Sequence, residues 1–279
     1  MTSCQVAPSR TSISVAANVQ DKDLSVLAAL TELTTLDLNN SQIGDAGLKA
    51  VGQLKSLTRL FLGKTQITDA GLKELCGLKH LTNLHLGMNS ITDAGLMSVG
   101  KLESLTRLNL GFTSITGVGL KELRNLKHLT TLALVRTKIT DAGLKELIEL
   151  TQLTTLRLDS TQITDAGLKE IVKLKRLTAL GLTNLPITDV GLKELSVLKS
   201  LTWLNLSQTQ ITDDGLEELR DLPHLTTLYL DRTKITNDGL MELGELKHLT
   251  TVSLRHTEIT DAGLRELKRS LPKITILGQ

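Results

Sequence analysis

Aromatic side chains are almost absent from this sequence of 279 residues, which contains one Trp, one Tyr and two Phe. A compact core is usually built in part from such rings, so the core of this chain must be built from Leu and Ile instead. Cysteine is equally scarce. Cys4 and Cys76 are the only two, which excludes a disulfide framework and a Cys-rich metal site.

Long apolar runs are missing as well. No segment approaches the roughly 18 apolar residues that are needed to span a bilayer, and the start, MTSCQVAPSRTSISV, lacks the apolar region of a secretory signal. We therefore expect no membrane span and favour a cytoplasmic location. The formal net charge is +2, which is too small to indicate a nucleic-acid partner.

What the chain does contain is one repeat, copied ten times without insertion at a spacing of 24 residues. The consensus is LTxLxLxxTxITDAGLKELxxLKx. A unit of this length cannot bury its own apolar face, whereas stacked units can, so such a period is typical of solenoids. Each copy opens on a leucine, and the openings are Leu33, Leu57, Leu81, Leu105, Leu129, Leu153, Leu177, Leu201, Leu225 and Leu249.

Each copy combines two periods. In LTRLFLGKTQI (57–67), Leu60 and Leu62 alternate with residues that are not copied, which predicts a short strand with one buried face. In TDAGLKELCGLKH (68–80), leucines at three-residue spacing predict a short helix with one apolar stripe. We interpret the Thr or the Asp of TDAG as the helix cap. The glycine that follows is predicted to lie where neighbouring helices pack too closely for a side chain.

The two ends depart from the consensus. Residues 13–32 are interpreted as a degenerate first repeat, residues 33–272 as the ten regular repeats, and residues 273–279 as a capping strand. We expect residues 1–12 to be disordered and residues 13–279 to form a single domain.

The segment LTTLRLDSTQITDAGLKEL resembles the leucine-rich repeat family, and the resemblance covers about residues 13–279. It implies an α/β solenoid shaped as a horseshoe, with a parallel sheet on the concave face and short helices on the convex face. The ITDAGL element is similar to the cysteine-containing subclass of F-box substrate receptors and to bacterial proteins of planctomycete type. The usual function of the family is to bind other proteins. Its strand-ending Asn or Cys is Thr in seven copies here, so we expect threonines to replace an asparagine ladder.

No catalytic set, Gly-rich phosphate loop or metal-ligand motif is found in the sequence. Four of the six histidines occupy one repeat position, just before the opening leucine of a strand, and are interpreted as turn residues: His80, His128, His224 and His248. We therefore predict a chain that is not an enzyme and that carries no cofactor and no metal.

If the repeat is a scaffold, specificity lies where it is not copied. Four columns of exposed positions vary between copies, and all four aromatic residues fall among these forty positions. The columns also hold seven Lys or Arg and three Asp, which gives a weak preference for a partner with an acidic patch. Aromatic and Arg side chains dominate interface energies. The predicted partner-binding residues are Arg59, Phe61, His85, Met88, Arg107, Phe112, Arg136, Arg157, Trp203, Tyr229 and Arg232.

These residues form two groups along the chain. The first, on the second to fourth copies, consists of Arg59, Phe61, His85, Met88, Arg107 and Phe112. The second consists of Arg157, Trp203, Tyr229 and Arg232. In the copy between Arg157 and Trp203 the exposed strand positions are Ala179 and Gly181, and these small residues predict a shallow depression beside Trp203.

The sequence thus predicts a monomeric scaffold that binds a protein or peptide on its concave face. Two other interpretations stay open. One is the substrate-recognition arm of a ubiquitin ligase, or of another multidomain enzyme whose catalytic part lies elsewhere. The other is a structural spacer with no specific partner.

Overall fold

A computed structural model describes residues 11–278. The expected disorder of the first residues concerns mainly residues 1–10, which lie outside the described residues. The first strand begins at Ser12, one residue before the predicted start of the degenerate repeat.

The described chain forms two compact units. The first unit extends to Ile115 and includes Gly119–Leu129, and the second contains Thr116–Val118 and continues from Thr130. The single domain expected from the sequence stays a prediction.

Each repeat contributes a strand of three residues, and consecutive strands pair in parallel within each unit. In the first unit the strands are β1 (Ser12–Ser14), β2 (Thr35–Asp37), β3 (Arg59–Phe61), β4 (Asn83–His85) and β5 (Arg107–Asn109). In the second unit they are β6 (Thr131–Ala133), β7 (Thr155–Arg157), β8 (Ala179–Gly181), β9 (Trp203–Asn205), β10 (Thr227–Tyr229), β11 (Thr251–Ser253) and β12 (Thr275–Leu277).

The leucine pattern fixes the register of this pairing. Leu60 in the centre of β3 pairs with Leu84 in the centre of β4, and both side chains are fully buried. Because side chains alternate between the two faces of a strand, the residues on either side of each central leucine lie on the opposite, solvent-facing side. We call this side the strand face. The predicted strands with one buried face are confirmed.

Short helices connect the strands, and their type varies. The α-helices are α1 (Leu48–Val51), α2 (Leu96–Val99), α3 (Asp141–Leu144), α4 (Asp165–Ile171), α5 (Asp189–Leu195), α6 (Asp213–Leu216), α7 (Gly239–Glu245) and α8 (Asp261–Ser270). The 3₁₀ segments are Asp21–Ala29, Gly71–Gly77, Val118–Asn125, Lys145–Leu147 and Glu217–Asp221. The predicted apolar stripe is confirmed, since Leu72, Leu75 and Leu78 are all buried.

The TDAG aspartate does not cap its own helix, contrary to one of the two assignments made from the sequence. Asp165 Oδ1 accepts a hydrogen bond from the backbone N–H of Thr188 at 2.9 Å, and its Oδ2 accepts one from Thr188 Oγ1 at 2.6 Å. The cap of that helix is the other candidate, Thr164, whose Oγ1 accepts from Ala166 N. Each carboxylate therefore connects its repeat to the next one. The same bonds are made by Asp45, Asp69, Asp141, Asp189 and Asp213.

Threonines contribute hydrogen bonds in two ways. Thr58 Oγ1, in the column after the opening leucine, donates to the carbonyl of Thr34 in the preceding repeat. The strand-ending threonines instead donate within their own turn, as Thr113 Oγ1 does to Leu110 O at 2.6 Å. The expectation that strand-ending threonines replace an asparagine ladder is therefore wrong, because their hydroxyls donate to a carbonyl of their own repeat and not to the preceding one. Asn89 does reach back to the preceding repeat, where its Nδ2 donates to Leu62 O.

The fourth variable column lies in a turn and not on a strand. All ten of its residues have a φ between 52° and 61°. This left-handed region costs a residue with a Cβ about 1–2 kcal/mol, so the surrounding repeat must enforce it. The side chains of this column therefore project from the turn that follows each strand. The column consists of Asn40, Lys64, Met88, Phe112, Arg136, Ser160, Asn184, Gln208, Arg232 and His256.

Candidate functional site

Three predicted site residues of the second unit meet on the strand face. The rings of Trp203 on β9 and Tyr229 on β10 lie with their centroids 5.5 Å apart and their planes tilted by 53°. The guanidinium carbon of Arg157 on β7 lies 5.0 Å from the centroid of the Trp203 ring. Tilted ring pairs and cations over an indole are both favourable arrangements. We call these three residues the Arg–Trp–Tyr row.

Arg157 reaches Trp203 by crossing the intervening strand β8. Arg157 pairs in register with Gly181, and Ala179 pairs with Trp203. A Cβ atom on Gly181 would clash with Arg157 Nε and would lie 2.6 Å from Asp159 Oδ2, so only glycine leaves room for the arginine there. The shallow depression predicted beside Trp203 is therefore not open, because the side chain of Arg157 occupies it.

Asp159 holds the arginine in this position. Arg157 Nε donates to Asp159 Oδ2 at 2.7 Å, and the side chain of Asp159 is only 7% exposed. Its other oxygen accepts a hydrogen bond from the backbone N–H of Thr183 at 3.2 Å. Asp159 is not among the site residues predicted from the sequence. The available signal was the spacing of two residues after Arg157, which places both side chains on one side of the chain.

The other predicted residues of the second unit lie at the turn level. Arg136 and Arg232 follow β6 and β10 in the left-handed turns, and both side chains are exposed. Arg232 is three residues beyond Tyr229, at the end of the same strand. The predicted second group is thus divided into the Arg–Trp–Tyr row on the strands and one arginine in a turn.

In the first unit, the His85 ring lies close to two glycines, Gly63 and Gly87. Phe61 and His85 pair in register on β3 and β4. A Cβ atom on Gly63 would lie 2.6 Å from His85 Cε1, and one on Gly87 would lie 3.1 Å from His85 Nε2. Burial lowers the pKa of His85 below its usual value, and the charge of Asp37 opposes this in part. The neutral imidazole is therefore favoured in the folded chain.

The remaining residues of the first group lie at two levels, on the strands and in the turns that follow them. Arg59 and Arg107 are exposed on β3 and β5, and Arg59 Nε donates to Thr35 Oγ1 at 3.0 Å. Met88 and Phe112 lie in left-handed turns with 50% and 41% of their surface exposed. The exposed apolar surface of this group is thus contributed by the turns.

Replacing Asp37 with asparagine should lower the pKa of His85 further, because the opposing attraction is removed. A proton NMR titration of the imidazole measures this shift. Since the folded-state pKa lies below the unfolded value of about 6.5, the unfolded chain binds more protons near that pH, and His85 should cost stability as the pH falls through 6.5. An unchanged or raised pKa in the variant would show that Asp37 does not act on this ring.

Within residues 11–278 no three His, Cys, Asp or Glu side chains come together in a way that could hold a metal ion. No helix there combines the length and the apolar character needed to cross a bilayer. The histidines assigned to turns are confirmed there: His80, His128, His224 and His248.

Short parallel strands at a 24-residue spacing, joined by short helical segments, define a repeat solenoid of the α/β class. Two models of the leucine-rich repeat family match the sequence, one over residues 31–91 and 169–235, and the other over residues 101–123, 125–147, 150–172 and 245–268. The chain belongs to the leucine-rich repeat family, as its motif predicted. The finer similarity to F-box and planctomycete-type proteins stays a prediction.

Solved structures share this fold. An internalin (inlF) from Listeria monocytogenes is 27% identical, with a TM-score of 0.65 over 95% of this chain and 86% of that one. A leucine-rich repeat protein of Leptospira interrogans is 24% identical, with a TM-score of 0.53 over 90% of this chain and 73% of that one. A TDR receptor is 19% identical, with a TM-score of 0.63 over 95% of this chain and 44% of the receptor. The last two show the fold alone, and no functionally curated protein matches.

Proposed function

We propose that this chain is a monomeric, non-enzymatic scaffold that binds a protein or peptide on its strand face, the predicted concave face. Membership of the leucine-rich repeat family and the likeness to an internalin support the general role of an interaction scaffold. The observation that carries the choice of face is the Arg–Trp–Tyr row. Trp, Tyr and Arg are the residue types most enriched among interface hot spots.

The row is also held in one arrangement before any partner arrives. Asp159 fixes Arg157 Nε, and Arg157 in turn lies over Trp203. Ordering a long side chain on binding costs roughly 0.5–1.5 kcal/mol, and part of this cost is already met for Arg157.

Capture from a cell lysate tests the proposal. We expect Trp203→Ala with Tyr229→Ala to weaken partner capture at least about tenfold, and Phe61→Ala with Phe112→Ala to do so if the partner extends over the first unit. The matched control is Val190→Ala with Met241→Ala, which removes exposed apolar side chains from helices α5 and α7. If both strand-face variants stay folded and capture every partner as well as the parent chain, the strand face is not the binding surface.

A further inference from the structure

We propose that the Arg–Trp–Tyr row recognises a short extended peptide segment that carries a carboxylate. Arg157 would receive the carboxylate of an Asp or Glu side chain, and the rings of Trp203 and Tyr229 would contact an adjoining apolar side chain. This inference rests on the proposed function, because it names the chemistry of the partner at the same face.

The guanidinium of Arg157 is oriented but not saturated. Its Nε is bonded to Asp159, while its two terminal nitrogens make no hydrogen bond within residues 11–278, and its side chain is 38% exposed. A guanidinium carries five N–H donors in a planar fork that matches the two oxygens of a carboxylate. The donors left over on Arg157 are those that such a fork uses.

The carboxylates of this face in the second unit already have hydrogen-bond partners within the protein, whereas its arginines keep donors that face solvent. Both carboxylate oxygens of Asp159 accept hydrogen bonds, one from Arg157 Nε and the other from the backbone N–H of Thr183. Asp231 Oδ1 accepts hydrogen bonds from Ser253 Oγ and from the backbone N–H of Arg255. Arg232 is exposed and forms no ion pair with any described residue. An approaching partner therefore meets cationic groups first, and an acidic segment is the complementary one.

The dimensions favour a peptide over a nucleic acid. The row extends from β7 to β10, which is three strand spacings or about 14 Å, the length of roughly four extended residues. Base stacking requires open ring faces along a cationic groove, but one face of Trp203 is covered by Arg157 and the adjacent ring of Tyr229 is tilted. The ring pair therefore presents an apolar surface to a side chain, but it does not present parallel open ring faces on which successive bases could stack.

The chain contains its own reporter for this test, since Trp203 is the only tryptophan. A random dodecapeptide library displayed on phage would be selected on the full chain, and the selected peptide synthesised in two forms. One form keeps its Asp and Glu residues, and the other has Asn and Gln in their place. Binding is then followed through a fluorescein label on the peptide, and the fluorescence of Trp203 reports whether the row itself is contacted.

We expect the amide form to bind about 10- to 100-fold more weakly than the acidic form, as is typical for losing a hydrogen-bonded charge pair. On Arg157→Gln the two forms should bind almost equally, whereas Arg157→Lys should keep part of the difference because it retains the charge but not the fork. The matched control is Lys169→Gln, which removes one exposed positive charge from helix α4 and should leave the difference unchanged.

The possible failures are distinguishable. If the selected peptides change the fluorescence of Trp203 but bind equally in both forms, the carboxylate is not recognised and only this inference is wrong. If they bind the Trp203→Ala, Tyr229→Ala variant as well as the parent chain, the strand face proposed above is wrong too. If a labelled oligothymidine of twelve nucleotides binds the row more tightly than the selected peptide, the partner is a single-stranded nucleic acid and the inference is overturned.

Discussion

Replacing Gly191 with alanine should destabilise the protein by about 3 kcal/mol. A Cβ atom at this position would clash with Asp165 Oδ1 and would lie 2.9 Å from Leu168 Cδ1. Overpacking of this kind costs about 1–3 kcal/mol. Asp165 must also move, which weakens the two bonds it accepts from Thr188, and each such hydrogen bond contributes about 1 kcal/mol.

Urea unfolding followed by circular dichroism measures this loss. The matched control is Gly44→Ala, where the nearest atoms to an added Cβ are Asp21 Oδ2 at 3.6 Å and Gln66 O at 3.8 Å. Because these are ordinary contacts, Gly44→Ala should be neutral or stabilise by less than about 1 kcal/mol through the unfolded state. Equal effects of the two substitutions would show that the Asp165 carboxylate does not restrict the space at Gly191.

The pattern of copied residues was sufficient to predict the scaffold. Leu60, Leu72 and Leu75 repeat at the periods of a strand and a helix, and burial of one apolar face per element determines both their structure and their register. The glycine of DAG was predicted to lie at a close approach, and it does, but the neighbour is the aspartate of the preceding copy. A consensus shows that two residues recur together without showing which copies they join.

The candidate site was predictable in composition but not in arrangement. Strand alternation places Trp203 and Tyr229 on one face, and adjacent copies bring their rings together. Arg157 extends across a whole strand because Gly181 has no side chain and because Asp159 accepts a hydrogen bond from Arg157 Nε. Such a contact joins residues 46 positions apart and is set by side-chain rotamers, which periodicity does not encode.

The left-handed column was beyond sequence reasoning for a different reason. Only Asn40, Asn184 and His256 among its ten members are of the residue types that tolerate this conformation well. At Phe112 or Arg136 the intrinsic preference of the residue opposes the observed φ. The backbone there is set by pairing with the adjacent copies, as Met88 N shows by donating to Gly111 O. Tertiary pairing overrides local propensity at these positions.

Gly117 is a position where restoring the consensus should do harm. Gly117 belongs to the copy that opens at Leu105. It stands where most copies have the TDAG aspartate that connects one repeat to the next. Its φ is +109°, and an added Cβ would lie 2.9 Å from the Cα of Gly143. Both the backbone conformation and the close approach oppose any side chain. Gly117→Asp should therefore destabilise the protein by about 2 kcal/mol, although the consensus alone predicts a gain.

Gly44→Thr is the converse substitution, because it also restores a consensus residue but at a position with room for it. The backbone N–H of Gly44 already donates to Asp21 Oδ1 at 2.8 Å, and an added Cβ would lie 3.6 Å from Asp21 Oδ2. A threonine there places its hydroxyl within reach of that oxygen, as in the regular copies, so we expect a gain of about 1 kcal/mol. The stabilities of Gly117→Asp and Gly44→Thr are compared with that of the parent chain by the midpoints of their urea unfolding curves. A gain in both would mean that the consensus predicts stability by itself and that the backbone of Gly117 relaxes to accept a side chain.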